Sequence, residues 1–174
     1  MPHHNYPFDP SYGYSLDALL AVGVPQAPAD FDSYWAQRYA RTLEVATQPS
    51  LSTEHTLVQG WKQFDLQYRS TDDLHLGGWC LLPESGQVKR VFIVLHGYGG
   101  IEEPFYDLPF KDAALLFPCA RGISRSSYPP ISNNPLWHVL HDIQDRDKYV
   151  HGGCVEDVWC AVSAALQLFP QCAG

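Results

Sequence analysis

The sequence predicts an α/β fold built on a mixed sheet, with an antiparallel hairpin at one edge and parallel strands inside. Three observations carry this expectation. First, Phe64, Leu66 and Tyr68 alternate with Asp65, Gln67 and Arg69; after the turn-forming Ser70-Thr71-Asp72-Asp73, the segment Leu74 to Leu82 returns. That is the pattern of an antiparallel hairpin half exposed to water. Second, Val91 to Leu95 is an unbroken apolar run, the pattern of a strand buried on both faces, and it leads into His96-Gly97-Tyr98-Gly99-Gly100. Third, Ala113 to Phe117 repeats the apolar run and is followed by Cys119-Ala120-Arg121-Gly122. In open α/β sheets the carboxyl ends of such strands form the crevice where ligands bind.

Taken in order, residues 1–29 are rich in Pro, Tyr and Gly and have no hydrophobic period, so they read as an extended arm that packs through Tyr6, Phe8, Tyr12 and Tyr14. His3-His4 is too short to be a metal tract. The domain proper is expected over residues 30–174. Asp30 stands at an N-cap position, Asp32 lies in the first turn, and Phe31, Tyr34, Trp35, Tyr39 and Leu43 share one face, giving a helix near 31–46 that stops before Pro49. The hairpin at 61–82 follows, with Gly77-Gly78 suggesting a bulge. Pro83-Glu84-Ser85-Gly86 turns the chain into a strand near 89–95, and a second inner strand is expected at 113–118. Residues 101–112 and 123–150 are polar and interrupted by prolines, so they read as loops. Gly152-Gly153 opens the last element: Val155, Val158, Trp159, Val162, Ala165, Leu166 and Phe169 follow helical steps and predict a helix at 153–169, ended by Pro170.

Composition narrows the function. With 174 residues and 45% hydrophobic content the chain suits one domain with a real core. Its net charge of -8, with eleven scattered Lys and Arg, disfavours nucleic acid and anionic membranes and leaves a small neutral substrate as the natural partner. Five cysteines, an odd number without a C-x-x-C pair, read as free thiols of a reducing compartment. The apolar stretch Leu16 to Val24 carries Asp17 and has no Lys or Arg before it, unlike a leader peptide; no apolar run approaches a membrane span. A cytoplasmic location is therefore expected, and neither a cofactor nor a metal is.

The residues resemble a known family, the acetyl xylan esterase and cephalosporin C deacetylase group (carbohydrate esterase family seven) of the α/β-hydrolase fold. The pieces that carry the likeness are Asp30-Phe31-Asp32 with Trp35, the strand followed by His96-Gly97-Tyr98-Gly99-Gly100, Arg121-Gly122, His138-Val139-Leu140-His141 running to Tyr149 and Gly152-Gly153, and the helix from Cys154 to Ala161. It covers nearly all of residues 16–174. The resemblance implies a serine esterase acting on acetylated carbohydrate or similar small acetyl esters, with the backbone N–H of Tyr98 as one oxyanion donor. It places His96, Gly97, Gly99, Gly100, Arg121 and Gly122 in the motifs around that site. It also implies homo-oligomer contacts through the N-terminal arm.

Departures mark a divergent branch. Cys119-Ala120 precedes Arg121-Gly122 and Ile123 follows, where the family usually has an Asp before Arg-Gly-Gln; Asp142 stands where Gly is usual. In the family a strand and a Gly-x-Ser-x-Gly nucleophile elbow follow the last helix, with Asp and His later, and none of the three has a counterpart here. The expectation is a partial α/β-hydrolase fold ending before the nucleophile elbow and inactive alone, or else a non-catalytic assembly or binding module. Gly122-Ile123-Ser124-Arg125-Ser126 imitates an elbow but lacks the second Gly, so Ser124 reads as a loop serine. Asp142, Asp145, Arg146 and Asp147 read as a solvated turn, and His138 with His141 as no metal pair.

Overall fold

A computed structural model describes residue 5 and residues 7–173. His3, His4 and Tyr6 of the aromatic arm lie outside them. The chain divides into two units, one ending at Ser33 and the other beginning at Tyr34. In the first, the Asp9 carboxylate accepts hydrogen bonds from the Ser11 N–H and hydroxyl and the Gly13 N–H at 2.6–2.9 Å, and these bonds hold its pKa below the ordinary value. A single-turn helix follows, α1 (Leu16–Leu20), in a stretch without a helical period; the Ser15 hydroxyl caps it by accepting from Ala18 N–H at 3.1 Å.

The helix α2 (Phe31–Leu43) runs from one unit into the other. Its buried residues are Arg38 and Thr42, while Tyr39 and Leu43 of the expected apolar face are exposed. The second unit holds six strands: β1 (Ser50–Leu51), β2 (Thr56–Val58), β3 (Trp61–Arg69), β4 (His75–Pro83), β5 (Arg90–Ile93) and β6 (Ala113–Pro118). The order is β1-β3-β4-β6-β5, with β2 also on β3. Only β5 and β6 are parallel; all other pairs are antiparallel. The mixed sheet is as expected, but the positions of two elements differ. The hairpin β3–β4 is interior, because β1 and β2 cover β3 and β6 pairs with β4. The apolar run at Val91 is the edge strand of the described sheet and only half-buried. Val94 N–H donates to Leu116 C=O at 2.8 Å, so by alternation residues 91, 93 and 95 turn their backbone groups to the open side.

Strand β4 is almost wholly buried rather than half exposed, since apolar clusters lie on both faces of the sheet. A short helix α3 (Pro135–His138) lies in the segment before the long helix α4 (Val150–Leu168), and on one face Leu66, Tyr68, Cys80 and Leu116 pack with α4. On the other, Trp61, Trp79, Leu115 and Phe117 are covered by Tyr106, Leu108 and Phe110 from the irregular segment between β5 and β6. No bulge occurs at Gly77-Gly78: the β3–β4 register is continuous there. The glycines instead permit close approach, because a Cβ at Gly78 would stand 2.3 Å from Phe117 O and one at Gly77 2.7 Å from Arg125 O.

Helix α4 begins at Val150, so Gly152 and Gly153 lie inside its first turn. A Cβ at Gly152 would meet the Arg38 guanidinium at 2.8 Å, and one at Gly153 the Arg121 guanidinium at 2.4 Å. Its buried face includes Gly153, Glu156, Asp157, Cys160, Ala161, Ala164 and Ala165; of the expected stripe Ala165 and Phe169 are buried, while Val162 and Leu166 are exposed. Small residues let the helix lie close to the sheet. Among the described residues no helix is long and apolar enough to cross a membrane.

Candidate active site

The carboxyl ends of β5 and β6 open onto a cavity of about 350 Å³. Leu95 to Tyr98 form one wall, Pro118 to Ala120 another, and the N-terminal turns of α4 a third. Most of the lining is apolar, including Leu95, Pro118, Ile123, Val155 and Val158; the polar groups include three imidazoles, His96, His138 and His151, with Tyr98, Tyr68 and Asp157. An apolar cavity with a few convergent polar groups is the usual form of a small-molecule site.

The Gly turn is closed by Gly100 N–H donating to Gly97 C=O at 3.1 Å. Gly100 has φ +75°, and a Cβ there would stand 2.8 Å from the Ile123 side chain, so this position requires glycine. Gly97 and Gly99 differ: an added Cβ would meet nothing within 4 Å at either. Tyr98 N–H has no hydrogen-bond partner among the described residues, while its hydroxyl pairs with His151 Nε2 at 3.1 Å. The His151 ring stacks on Tyr149 at 5.0 Å and lies 6.4 Å from the His138 ring.

Arg121 and Gly122 support the cavity from behind. Arg121 is buried; its Nε and Nη2 donate to the Asp157 carboxylate at 2.8–3.2 Å, its Nη1 to Asp72 at 2.8 Å and its Nη2 to Thr71 Oγ1 at 2.9 Å. Burial opposes the guanidinium charge, but the Asp157 and Asp72 carboxylates outweigh it and raise the pKa. Asp157 also accepts from Arg121 N–H and the Ser70 hydroxyl, and Glu156 beside it accepts from Arg38, Arg41 and Thr71. Each buried charge is therefore paired. Gly122, at φ +83°, would bring a Cβ to 2.4 Å from Ile131. The Arg121 C=O accepts from His138 Nε2–H at 2.8 Å, which leaves Nδ1 as the unprotonated nitrogen of the neutral ring. Burial lowers the His138 pKa, and His151, His141 and His96 add to this.

A family model described as acetyl xylan esterase (AXE1) matches residues 15–167, which span the strands, the Gly turn, the Arg121 loop and α4. The chain belongs to the acetyl xylan esterase family. Among solved structures, acetyl xylan esterase 1 from Thermoanaerobacterium sp. JW/SL YS485 superposes with a TM-score of 0.72 at 19% identity over 88% of this chain and 51% of that one. An acetyl xylan esterase from Paenibacillus sp. R4 gives a TM-score of 0.64 at 17% identity over 89% and 51%. At these identities the likeness is one of fold. This member of the acetyl xylan esterase family thus spans about half the length of the solved esterases it matches.

Within the family chain, His96, Gly97 and Tyr98 reach the cavity, whereas Arg121 and Gly122 hold its wall in place. Ser124 has the positive φ, 48°, of an elbow serine, but its hydroxyl donates to Ile101 C=O at 2.6 Å and only a 3₁₀ turn follows. His151, Cys154 and Asp157 were not singled out as site residues by sequence reasoning. Their signal lay in the turns of α4 that face the strand ends, visible only once that helix is docked. Burial and Asp157 push the Cys154 thiol up to about 12, which disfavours the reactive thiolate.

Proposed function

We propose that this chain carries the oxyanion-binding half of a serine esterase that removes acetyl groups from carbohydrate or similar small acetyl esters. The nucleophilic Ser and its His and Asp then come from polypeptide outside these 174 residues, and the chain alone is inactive. The unpartnered Tyr98 N–H beside an apolar cavity at the strand ends carries this reading. In the reaction the serine Oγ attacks the acetyl carbon while the histidine takes its proton. Negative charge develops on the carbonyl oxygen, where the Tyr98 N–H stabilises it. The sugar hydroxyl leaves with that proton, and water then releases acetate from the acyl-enzyme. One such donor is worth about 10² to 10³ in kcat because the bond is completed only in the transition state. The five free thiols and the acidic charge support a reducing, cytoplasmic setting and a neutral substrate.

The test is acetate release from acetylated xylan, measured for the chain alone and joined to the nucleophile-bearing half of a solved relative. Background rates alone, activity when joined, retention in Tyr98→Phe and loss in a folded Tyr98→Pro are expected. Turnover by the chain alone that vanishes in Ser124→Ala refutes the reading. A second reading, a non-catalytic assembly module, is favoured by the open edge of β5 at residues 91, 93 and 95. It gains if the joined protein is folded yet inert.

A further inference from the structure

His96 is bonded at both ring nitrogens. Ala120 N–H donates to its Nε2 at 3.0 Å, and a backbone N–H can only donate, so Nε2 carries the lone pair. The ring proton therefore sits on Nδ1, which donates to Gly97 C=O at 2.8 Å. That carbonyl also accepts from Gly100 N–H at 3.1 Å, so both of its lone pairs are used. Gly97 C=O and Tyr98 N–H belong to one planar trans peptide, in which the two bonds point in opposite directions. Fixing the carbonyl toward the His96 ring fixes the Tyr98 N–H away from it.

From this sequence of contacts we infer that His96, held as the Nδ1–H tautomer, is a positioning residue that aims the Tyr98 N–H. The reference point is rigid: Ala120 follows β6, whose residues Ala113 to Phe117 are fully buried, as is Cys119. Orientation thus passes from the central sheet through one imidazole to an otherwise exposed turn, where Tyr98 is 57% accessible. The Gly100 N–H of the turn holds the same carbonyl, so the turn bond and the His96 ring fix the peptide plane together. The functional meaning of the aim rests on the proposed role of Tyr98 as oxyanion donor; the aim itself does not.

The test is nuclear magnetic resonance of the full chain labelled with ¹⁵N. His96 is expected to show a protonated Nδ1 and a bare Nε2. His96→Asn places an amide N–H where Nδ1 was and keeps the bond to Gly97. His96→Gln reaches Ala120 and gives that bond up. The Tyr98 amide resonance should stay close to wild type in the first variant and move in the second, whereas a simple anchor to Ala120 predicts the reverse. An Nε2–H tautomer in the wild type overturns the inference without any variant, as does a Tyr98 resonance that moves equally in both. In the joined enzyme, His96→Gln should lower kcat by up to about 10²-fold with KM little changed. An unchanged kcat despite the expected spectra refutes Tyr98 as donor and leaves the positioning intact.

Discussion

Replacing Arg121 with Met tests whether the buried ion network holds the chain together. Arg121 is 6% exposed and Asp157 is 2% exposed. Arg121→Met removes the Nε and Nη2 bonds at 2.8–3.2 Å and leaves Asp157 with the Ser70 hydroxyl at 2.6 Å and the residue 121 N–H at 2.9 Å. Two neutral donors do not balance a buried carboxylate, so the cost is about 3–5 kcal/mol, the usual penalty for breaking a buried pair from one side. For a domain of this size that lowers Tm by roughly 6–20 °C. The double variant Arg121→Met, Asp157→Leu removes the orphaned charge and should recover most of the loss, with a coupling on the order of 2–3 kcal/mol. Thermal and urea unfolding followed by circular dichroism, run on both single variants and the double, measure this. If Arg121→Met costs under about 1 kcal/mol, or the double is less stable than the sum of the singles, the network is not what ties the Arg121 loop to α4.

Three further outcomes are expected. Gly78→Ala, whose Cβ would stand 2.3 Å from Phe117 O, should destabilise by about 1–3 kcal/mol, whereas Gly97→Ala, with nothing within 4 Å, should stay within about 0.5 kcal/mol in the same unfolding assay. His138 has a folded pKa below its ordinary 6.5, so the unfolded chain binds the proton first. Stability should therefore be complete above that value and fall as pH drops through it toward the folded pKa, and Tm against pH should be flatter in His138→Gln. Cys154, with its thiol pushed up to about 12, should react with iodoacetamide at about pH 8 on the order of 10³-fold more slowly than in the denatured chain, as read by mass spectrometry.

Periodicity locates β3 to β6 because alternation in Phe64 to Tyr68 and the runs at Val91 and Ala113 reflect backbone geometry directly, whereas β1 and β2, of two and three residues, are too short to show a period. It misread α4, because hydrophobicity ranks Val162 above Glu156 although the acid is the fully buried one. Burial of Glu156 depends on Arg38, more than a hundred residues away, and no local window contains both. Gly152-Gly153 reads locally as a helix start for the same reason: the guanidinium groups that require those glycines come from α2 and the Arg121 loop. At the site, the Gly turn was legible as a motif, yet glycine is sterically required only at Gly100. His96 is legible as part of that motif, but its bond from Ala120 N–H, and with it the ring tautomer, depends on β6 lying beside the turn.

The strand order has a consequence for how the chain is made. Strands β4 and β5 are consecutive in sequence, joined by a short turn at Pro83–Gly86, yet β6 lies between them. A ribosome adding about 5–20 residues per second exposes β5 roughly 1–5 s before β6 is complete, long compared with the about 1–10 μs in which a hairpin closes. Throughout that interval the nascent chain can zip β4 directly to β5 in the antiparallel sense. Reaching the native order requires that hairpin to reopen so that β6 can insert and reverse the direction in which β5 is paired. Escape from that local pairing should then appear as a slow refolding phase, which stopped-flow fluorescence on the denatured chain would measure.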